Sequence, residues 1–400
     1  MGAKLRFDRH ELAGSLGDLG VVLPLAVGLV VVNGMDATGL LLSVGLLYIL
    51  SGLYFGVTVP VEPMKVIGAY AIASATPALQ ITAAGLWMAV LLLALGLSGS
   101  LTFVCRIVPR SAVRGVQLST GVLLLVQGIG FMLGTTTLQR SQGAAEPFLD
   151  VGALGPVPGG LALGLAAVVL ILALLENRHA PAALVVIVLG FLAGAVLGGA
   201  ERLGAYAPGL HLPPLLPFGL PTASDLVIGL TALAIPQLPM TIGNAVVAQA
   251  DLTREYFGED AARRSSPRAL AVSMGLANIG AAAVGGMPIC HGAGGLAAHY
   301  RFGARTAGSN LMIGGLFVAG ALLLGGTSIR LLMLLPLGVL GALLCFAGVQ
   351  LALLILDMRE REDLLVVVTM LGVTLATNLA FGFGVGIALA YLLRHTPLRI

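Results

Sequence analysis

The sequence predicts an all-α polytopic membrane protein, with about 14 transmembrane segments in a seven-plus-seven inverted repeat and with interrupted third and tenth spans. Composition supports this class. Of the 400 residues, 58% are hydrophobic and only 10% are charged, and the mean hydropathy is +1.02. Soluble chains hold about 25% charged residues, so an ordinary soluble enzyme is excluded. The 56 glycines follow no collagen period and are typical of helices packed closely in lipid.

Apolar stretches divide the chain into candidate spans. A membrane helix needs about 20 apolar residues at a rise of about 1.5 Å each. The third and tenth stretches are too short or too interrupted to be ordinary helices. In order, the candidate spans are 15–32, 39–57, 61–76, 80–98, 110–133, 159–176, 181–199, 222–247, 267–285, 288–300, 307–325, 331–356, 364–378 and 380–394.

The distribution of cationic residues supports this order of spans. With the N-terminus inside, alternating spans place 17 of the 21 Lys and Arg residues on the cytoplasmic side. Arg140, Arg202 and Arg330 fall on the opposite side, and Lys65 falls inside a span. This asymmetry follows the positive-inside rule. We therefore expect a multi-pass protein of the plasma (inner) membrane, surrounded by the lipid bilayer, with both termini in the cytoplasm.

Other functional classes lack support in the sequence. The cations are scattered singly, whereas nucleic-acid-binding proteins cluster them on one face, so we expect no nucleic-acid partner. Cys105, Cys290 and Cys345 have no metal-ligand spacing, and the sequence contains no P-loop, zinc-protease or serine-hydrolase pattern. We expect no enzymatic activity, no metal and no cofactor.

Short motifs recur in the same order in the two halves of the chain. Residues 60–63 (Pro-Val-Glu-Pro) correspond to 288–291 (Pro-Ile-Cys-His), and 115–118 (Gly-Val-Gln-Leu) correspond to 348–351 (Gly-Val-Gln-Leu). An odd number of spans in each half gives the halves opposite orientations. The predicted organisation is a first repeat at 1–199, an extracytoplasmic connector at 200–221 and a second repeat at 222–400.

The interrupted segments 58–66 and 286–294 form the predicted binding site. Inverted repeats with broken helices in corresponding positions are typical of secondary transporters, whose substrates bind near the midplane at the N-termini of half-helices. Backbone without helical structure must line a cavity or lie within protein, because lipid cannot satisfy its hydrogen bonds.

Few charged residues are expected to be buried in the membrane, and each is a functional candidate because charge is costly in lipid. They are Asp18, Glu62 and Lys65, with His291 as a further titratable group. Lys65 either attracts an anion or only neutralises Glu62, and both interpretations stay open. Asp18, Glu62 and His291 are the proton-coupling candidates, although Asp18 can instead brace helix ends.

A glycine-rich sequence opens the second half-helix. Gly292, Ala293 and Gly294 follow His291 without bulky side chains, so their N–H groups can bind an anion. Close packing against a neighbouring helix is the structural alternative. His291 can donate to an oxyanion, carry a proton or only cap a backbone carbonyl. Met64, in the first interrupted segment, joins the candidate binding residues.

Three polar residues of the eighth span complete the candidate binding set. Gln237, Thr241 and Asn244 have the spacing i, i+4, i+7 and therefore share one face of an α-helix. That face either lines a polar cavity or forms hydrogen bonds between helices, which is common for Gln and Asn in lipid.

Several motifs together resemble the molybdate transporter family of plants, algae and bacteria, a branch near the sulfate permeases. The resemblance implies the seven-plus-seven fold, which sulfate permeases and uracil/proton symporters share. Sulfate permeases commonly carry a C-terminal STAS domain, and this sequence stops at Ile400 after its last predicted span, as expected for the molybdate branch. The motifs are Gly-Asp-Leu-Gly (17–20), Pro-Val-Glu-Pro-Met-Lys (60–65), Arg-Gly-Val-Gln-Leu (114–118), Pro-Gln-Leu-Pro (236–239) with Gly-Asn-Ala-Val (243–246), and Met-Pro-Ile-Cys-His-Gly-Ala-Gly-Gly-Leu-Ala (287–297) with Tyr-Arg-Phe-Gly-Ala-Arg (300–305).

The resemblance and the residues together imply secondary-active transport of a tetrahedral oxyanion, molybdate first and sulfate second, coupled to protons. A sulfate permease or a channel-like anion conductor of the same fold is an alternative, since fold does not fix function. A nucleobase/proton symporter is a weaker alternative, because such proteins usually carry carboxylates where Gln237 and Cys290-His291 stand here. A homodimer stays open.

Overall fold

A computed structural model describes residues 5–154, 156–175, 177, 181–199, 209–325 and 327–395 of the chain. These ranges exclude Lys4 and residues 200–208 of the predicted connector, which include Arg202. The side chain of Cys105 is not described either. The described chain is mostly helical and spans the membrane several times. Within the ranges given, six helices are long and apolar enough to cross a bilayer, or seven when a bent pair is one span. The predicted count of fourteen is therefore not confirmed by helix length.

Helices nevertheless occur in all the predicted span intervals, and many are shorter than a bilayer requires. The first half also contains strands β1 (Glu62–Pro63), β2 (Ala153–Leu154) and β3 (Val157–Pro158). Its helices are α1 (Arg9–Ser15), α2 (Leu19–Asn33), α3 (Ala37–Phe55), α4 (Lys65–Ser74), α5 (Ala78–Ser98), α6 (Leu101–Ile107), α7 (Arg110–Leu133), α8 (Thr137–Gln142), α9 (Gly159–Leu174) and α10 (Ala182–Gly194).

The second half contains the strand β4 (Ile289–Cys290) and a long helix, α11 (Ala223–Phe257), with π-helical turns at Gly229–Ala234 and Thr241–Ala248. The interruptions predicted in the third and tenth spans are confirmed, because extended chain precedes the ten-residue helices α4 and α14. The helices after α11 are α12 (Glu259–Arg264), α13 (Pro267–Ala283), α14 (Ala293–Phe302), α15 (Ala307–Leu324), α16 (Thr327–Leu332), α17 (Leu337–Ala352), α18 (Arg361–Ala376) and α19 (Leu379–His395).

Glycines allow the main helix pairs to pack backbone against backbone. On α7 and α17, a β-carbon at Gly121 would lie 2.5 Å from Gly348 O, and Gly128 and Gly341 would overlap each other's carbonyl oxygens in the same way. On α3 and α15, a β-carbon at Gly45 would lie 2.8 Å from the carbonyl oxygen of its partner glycine. Such close approach is how helices associate in lipid, where apolar burial gives no driving force.

Two glutamates, the buried Glu11 and the partly buried Glu146, cap helix starts outside the interrupted segments. Glu11 accepts hydrogen bonds from Arg305 N at 3.1 Å and Thr306 N at 3.0 Å, which fixes α1 to the turn before α15. Glu146, in the loop after α8, accepts from Leu337 N and Gly338 N, both at 2.8 Å, at the start of α17. Burial raises the pKa of the Glu146 carboxyl, and the two N–H donors lower it. Both carboxylates are therefore used as structural caps.

Adjacent glycines on α15 provide a test of this packing. A β-carbon at Gly314 would lie 2.7 Å from Gly45 O, whereas at Gly315 it meets nothing within 4 Å. We expect Gly314→Val to destabilise the protein by about 1–3 kcal/mol through overpacking. Gly315→Val is the matched control and should not be destabilised, because valine has a higher helix propensity than glycine. Thermal unfolding in detergent measures the difference, and equal midpoints would contradict the packing.

Candidate anion site

The two interrupted segments lie side by side in the interior. Strands β1 and β4 pair antiparallel, with Glu62 opposite Cys290 and Pro63 opposite Ile289. Met64 N also donates to Pro288 O at 2.9 Å. The extended backbone is thereby satisfied by protein, as a membrane interior requires. The pairing places the starts of α4 and α14 next to each other.

Two asparagines extend this pairing with their side-chain amides. Asn278 on α13 accepts from Ile289 N at 3.0 Å and donates to Ile289 O at 2.8 Å. Asn310 on α15 accepts from Val59 N at 2.9 Å and donates to Val59 O at 2.7 Å. Each side-chain amide thus forms the two hydrogen bonds that the backbone of a neighbouring strand would form. The sequence analysis missed both residues, although a buried Asn in an apolar helix was the signal that could have identified them.

The first turn of α4 is capped by a side chain from α11. Gln237 Oε1 accepts from Val66 N at 2.8 Å and from Ile67 N at 3.2 Å, and its Nε2 donates to Thr241 Oγ1 at 2.8 Å. Gln237 and Thr241 are both 1% exposed. The N–H groups that these bonds use are therefore not available to an anion at this half-helix.

Of the three polar residues predicted to share one face of α11, Asn244 alone lines the internal cavity. The π-helical turn at Thr241–Ala248 holds more residues per turn than an α-helix, so the spacing that places three residues on one face no longer applies there. Gln237 and Thr241 face α4, and Asn244 faces the cavity.

Lys65 and Glu62 form an ion pair between the two half-helices. Lys65 Nζ lies 2.7 Å from Glu62 Oε2, and the side chains are 16% and 1% exposed. The exposed part of Lys65 lines the cavity. Met64 is 1% exposed and is not among the cavity-lining residues.

The start of α14 has one packed side and one open side. Gly292 lies against the Glu62 carboxylate, since a β-carbon there would overlap both carboxylate oxygens. Ala293 is 7% exposed. Gly294 lines the cavity, and a β-carbon there would meet nothing within 4 Å. Leu296 N donates the first intrahelical bond, to Gly292 O at 3.0 Å, so the preceding N–H groups have no helical acceptor.

His291 holds the interrupted segment in place. Its Nδ1 lies 2.9 Å from Pro60 O, and its Nε2 lies 2.9 Å from Ser273 Oγ. The side chain is fully buried, with its ring edge-on to Phe55. Of the roles open to His291, this geometry favours the cap of a backbone carbonyl.

Asp18 lies at the break between α1 and α2, which are bent by 45°. It is 3% exposed, and its Oδ2 has no hydrogen-bond partner among the described residues. A β-carbon built on Gly295 would lie 2.7 Å from this oxygen and 2.6 Å from Glu62 Oε1. The structure therefore brings Asp18, Glu62 and Lys65 together at the start of α14. Gly295 was not among the predicted site residues.

A cavity of about 630 Å³ is lined by Lys65 and Gly294 and also by Arg110 and Arg114. Its lining comes from α2, α4, α7, α11, α14 and α17. Both arginines pair with Asp357, Arg110 at 2.5 Å, and Arg114 also donates to Gln117 at 2.7 Å. Arg114 and Gln117 belong to the family motif at 114–118, but neither was predicted as a site residue.

These features define a membrane transport protein in which paired broken helices place the ammonium of Lys65 in the wall of an internal cavity. An ammonium, an amide and the start of a helix are suited to an oxyanion. The solved structures that share this fold include the transmembrane domain of the cyanobacterial bicarbonate transporter BicA (TM-score 0.66, 20% identity, 94% of this chain and 97% of that one). The murine Slc26a9 anion transporter in the inward-facing state is also similar (TM-score 0.67, 17% identity, 98% of this chain and 69% of that one).

Sequence comparison gives the family. The family described as "Molybdate transporter of MFS superfamily" matches residues 10–124 and 229–351. Molybdate transporter 2 of Arabidopsis thaliana is 34% identical, covering 96% of this chain and 87% of the relative. Molybdate transporter 1 of Chlamydomonas reinhardtii is 32% identical, covering 94% and 90%. The chain belongs to the molybdate transporter family.

Gly294 allows a test of the site that leaves the fold intact. Gly294→Val adds its side chain to the open cavity, so we expect binding of labelled molybdate to be lost without unfolding. Gly280→Val on α13, where a β-carbon also meets nothing within 4 Å, is the matched control. Gly292→Val is less informative because it displaces Glu62. Normal binding by Gly294→Val, measured on purified protein, would remove the start of α14 from the site.

Proposed function

We propose that this protein is a secondary-active importer of a tetrahedral oxyanion, molybdate first and sulfate second, with protons as the coupling ion. The observation that carries the proposal is the position of Lys65, a largely buried ammonium that lines the same cavity as Gly294 at the open side of α14. The relatives named molybdate transporters support the choice of anion.

The proposed architecture is two inverted repeats, at 1–199 and 222–400, joined by an extracytoplasmic connector at 200–221. Helix packing supports this arrangement. The second predicted span packs on the eleventh, as α3 on α15, and the ninth packs on the fourth, as α13 on α5. The second span corresponds to the ninth in the two repeats, and the fourth corresponds to the eleventh. The two helix contacts are therefore equivalent when the repeats are exchanged. Both termini are proposed to lie in the cytoplasm, at the plasma (inner) membrane.

A channel-like conductor and a sulfate permease remain the alternatives on the same fold. Molybdate and sulfate are both tetrahedral dianions, so competition rather than geometry separates them. The nucleobase alternative loses support because Gln237 caps α4 and does not face the cavity.

Energy supply distinguishes a symporter from a channel. Import of a dianion into a negative-inside cell costs about 2.3 kcal/mol per charge per 100 mV. Co-transported cations must offset this cost, and Asp18 and Glu62 are titratable groups beside the site. In proteoliposomes we expect labelled molybdate uptake to rise with an inward proton gradient and to be competed by unlabelled sulfate at higher concentration. Uptake that follows sodium and ignores the pH gradient would exclude proton coupling.

Substitution of Lys65 separates its role as an anion ligand from its role as the partner of Glu62. We expect Lys65→Met to lose most molybdate binding and Lys65→Arg to keep part of it. The double variant Glu62→Gln, Lys65→Met leaves no lone buried charge. If Lys65 attracts the anion, the double variant should bind as weakly as Lys65→Met in a radioligand assay. Parental binding by the double variant would assign Lys65 to the scaffold.

A further inference from the structure

The carboxyl groups of Asp18 and Glu62 meet at the start of α14, where two of their oxygens have no hydrogen-bond donor among the described residues. Glu62 Oε2 lies 2.7 Å from Lys65 Nζ, whereas Glu62 Oε1 and Asp18 Oδ2 accept no hydrogen bond. Both groups contact the same point on Gly295, where a β-carbon would lie 2.6 Å from Glu62 and 2.7 Å from Asp18. Only the hydrogens of a glycine fit between them.

Bonded glutamates elsewhere in the chain show that this arrangement is unusual. Glu146 and Glu11 each accept hydrogen bonds from two backbone N–H groups, so both act as helix caps. Among the described residues, Glu62 has Lys65 as its charged partner, at 2.7 Å, and it lies on the positive end of α14. Glu62 thus interacts with both groups that would attract an oxyanion, the Lys65 ammonium and the start of α14.

The charge balance opposes dianion binding while both carboxyl groups are ionised. Asp18, Glu62 and Lys65 then sum to one negative charge at a buried position. Tyr48, Cys290 and His291 also face Glu62, but the ring nitrogens of His291 are already engaged by Pro60 O and Ser273. Two carboxylates that share one site are costly to ionise together and titrate as a pair.

We propose that Asp18 and Glu62 form a carboxyl pair that takes up one proton when the oxyanion binds, and that Glu62 is the internal counter-ion the oxyanion replaces. The proposal rests on the proposed function. One proton moves from solvent to a carboxylate oxygen of the pair, where an O–H bond forms. The ion pair between Glu62 and Lys65 breaks, and Lys65 pairs with the oxyanion. With one proton, the pair and Lys65 are neutral together.

The pH dependence follows from the proton taken up. The complex holds one proton more than the free protein wherever the free pair is fully ionised. Raising the pH in that range therefore weakens molybdate affinity, by about tenfold per pH unit. At a pH where the free pair already holds the proton, affinity is constant.

Isothermal titration of purified protein with molybdate, in buffers that differ in ionisation enthalpy, counts the protons directly. We expect uptake of about one proton per molybdate in the parent at alkaline pH. Glu62→Gln should take up close to none and should bind with an affinity independent of pH. Glu146→Gln alters a partly buried glutamate at another helix start, so this control should keep the parental proton uptake and pH dependence.

The outcomes separate the two proposals. A parent that binds neither molybdate nor sulfate fails the proposed function itself. A parent that binds without proton uptake at any pH, or a Glu62→Gln variant with parental uptake, overturns the carboxyl pair and leaves oxyanion transport standing. If Glu62→Gln does not fold, Glu62→Asp keeps the charge but withdraws it from Gly292 and Gly295 by one methylene. Its molybdate affinity at alkaline pH should exceed the parental value, and an unchanged affinity contradicts the proposal.

Discussion

The pairing of β1 with β4 is the constraint on which the rest of the structure depends. Two stretches of extended backbone lie inside a membrane protein, where each unsatisfied N–H or C=O group costs several kcal/mol. They satisfy each other across Glu62–Cys290 and Pro63–Ile289, and side chains from three helices supply further bonds. Because the paired strands are only two residues long, both half-helices begin close to them. The pairing positions Glu62, within β1, and Lys65, at the start of α4.

Hydrogen-bond satisfaction separates the residues that hold this site from those that are free to act. Asn278, Asn310, Gln237 and His291 each bond to backbone or to a second side chain, and they keep the broken segments open as extended chain. Asp18 and Glu62 retain carboxylate oxygens without donors. Buried polar groups without partners are costly, so their presence next to Lys65, which lines the cavity, points to a step in which a proton or an anion arrives.

Glycine has two different uses in this chain. Between α7 and α17, and between α3 and α15, its missing side chain lets backbones touch and makes firm helix pairs. At α14 the same absence serves charge: Gly292 and Gly295 admit the Glu62 carboxylate, while Gly294 leaves the helix start open to the cavity. Substitution of the helix-pair glycines would weaken helix packing. Substitution of the α14 glycines would displace the Glu62 carboxylate or fill the cavity.

The sequence by itself determined the class of protein, the positions of both broken helices and the charged residues at the first break, because hydropathy, proline and buried charge are local signals. Helix periodicity also placed Gln237, Thr241 and Asn244 on one face, and there it was insufficient, since a π-helical turn begins at Thr241. Only the tertiary structure decided that Gln237 caps α4, that His291 is held by Pro60 and Ser273, and that Gly295 separates Asp18 from Glu62. The partners in these contacts come from distant parts of the chain, and a sequence pattern gives the face of a helix without giving its neighbour.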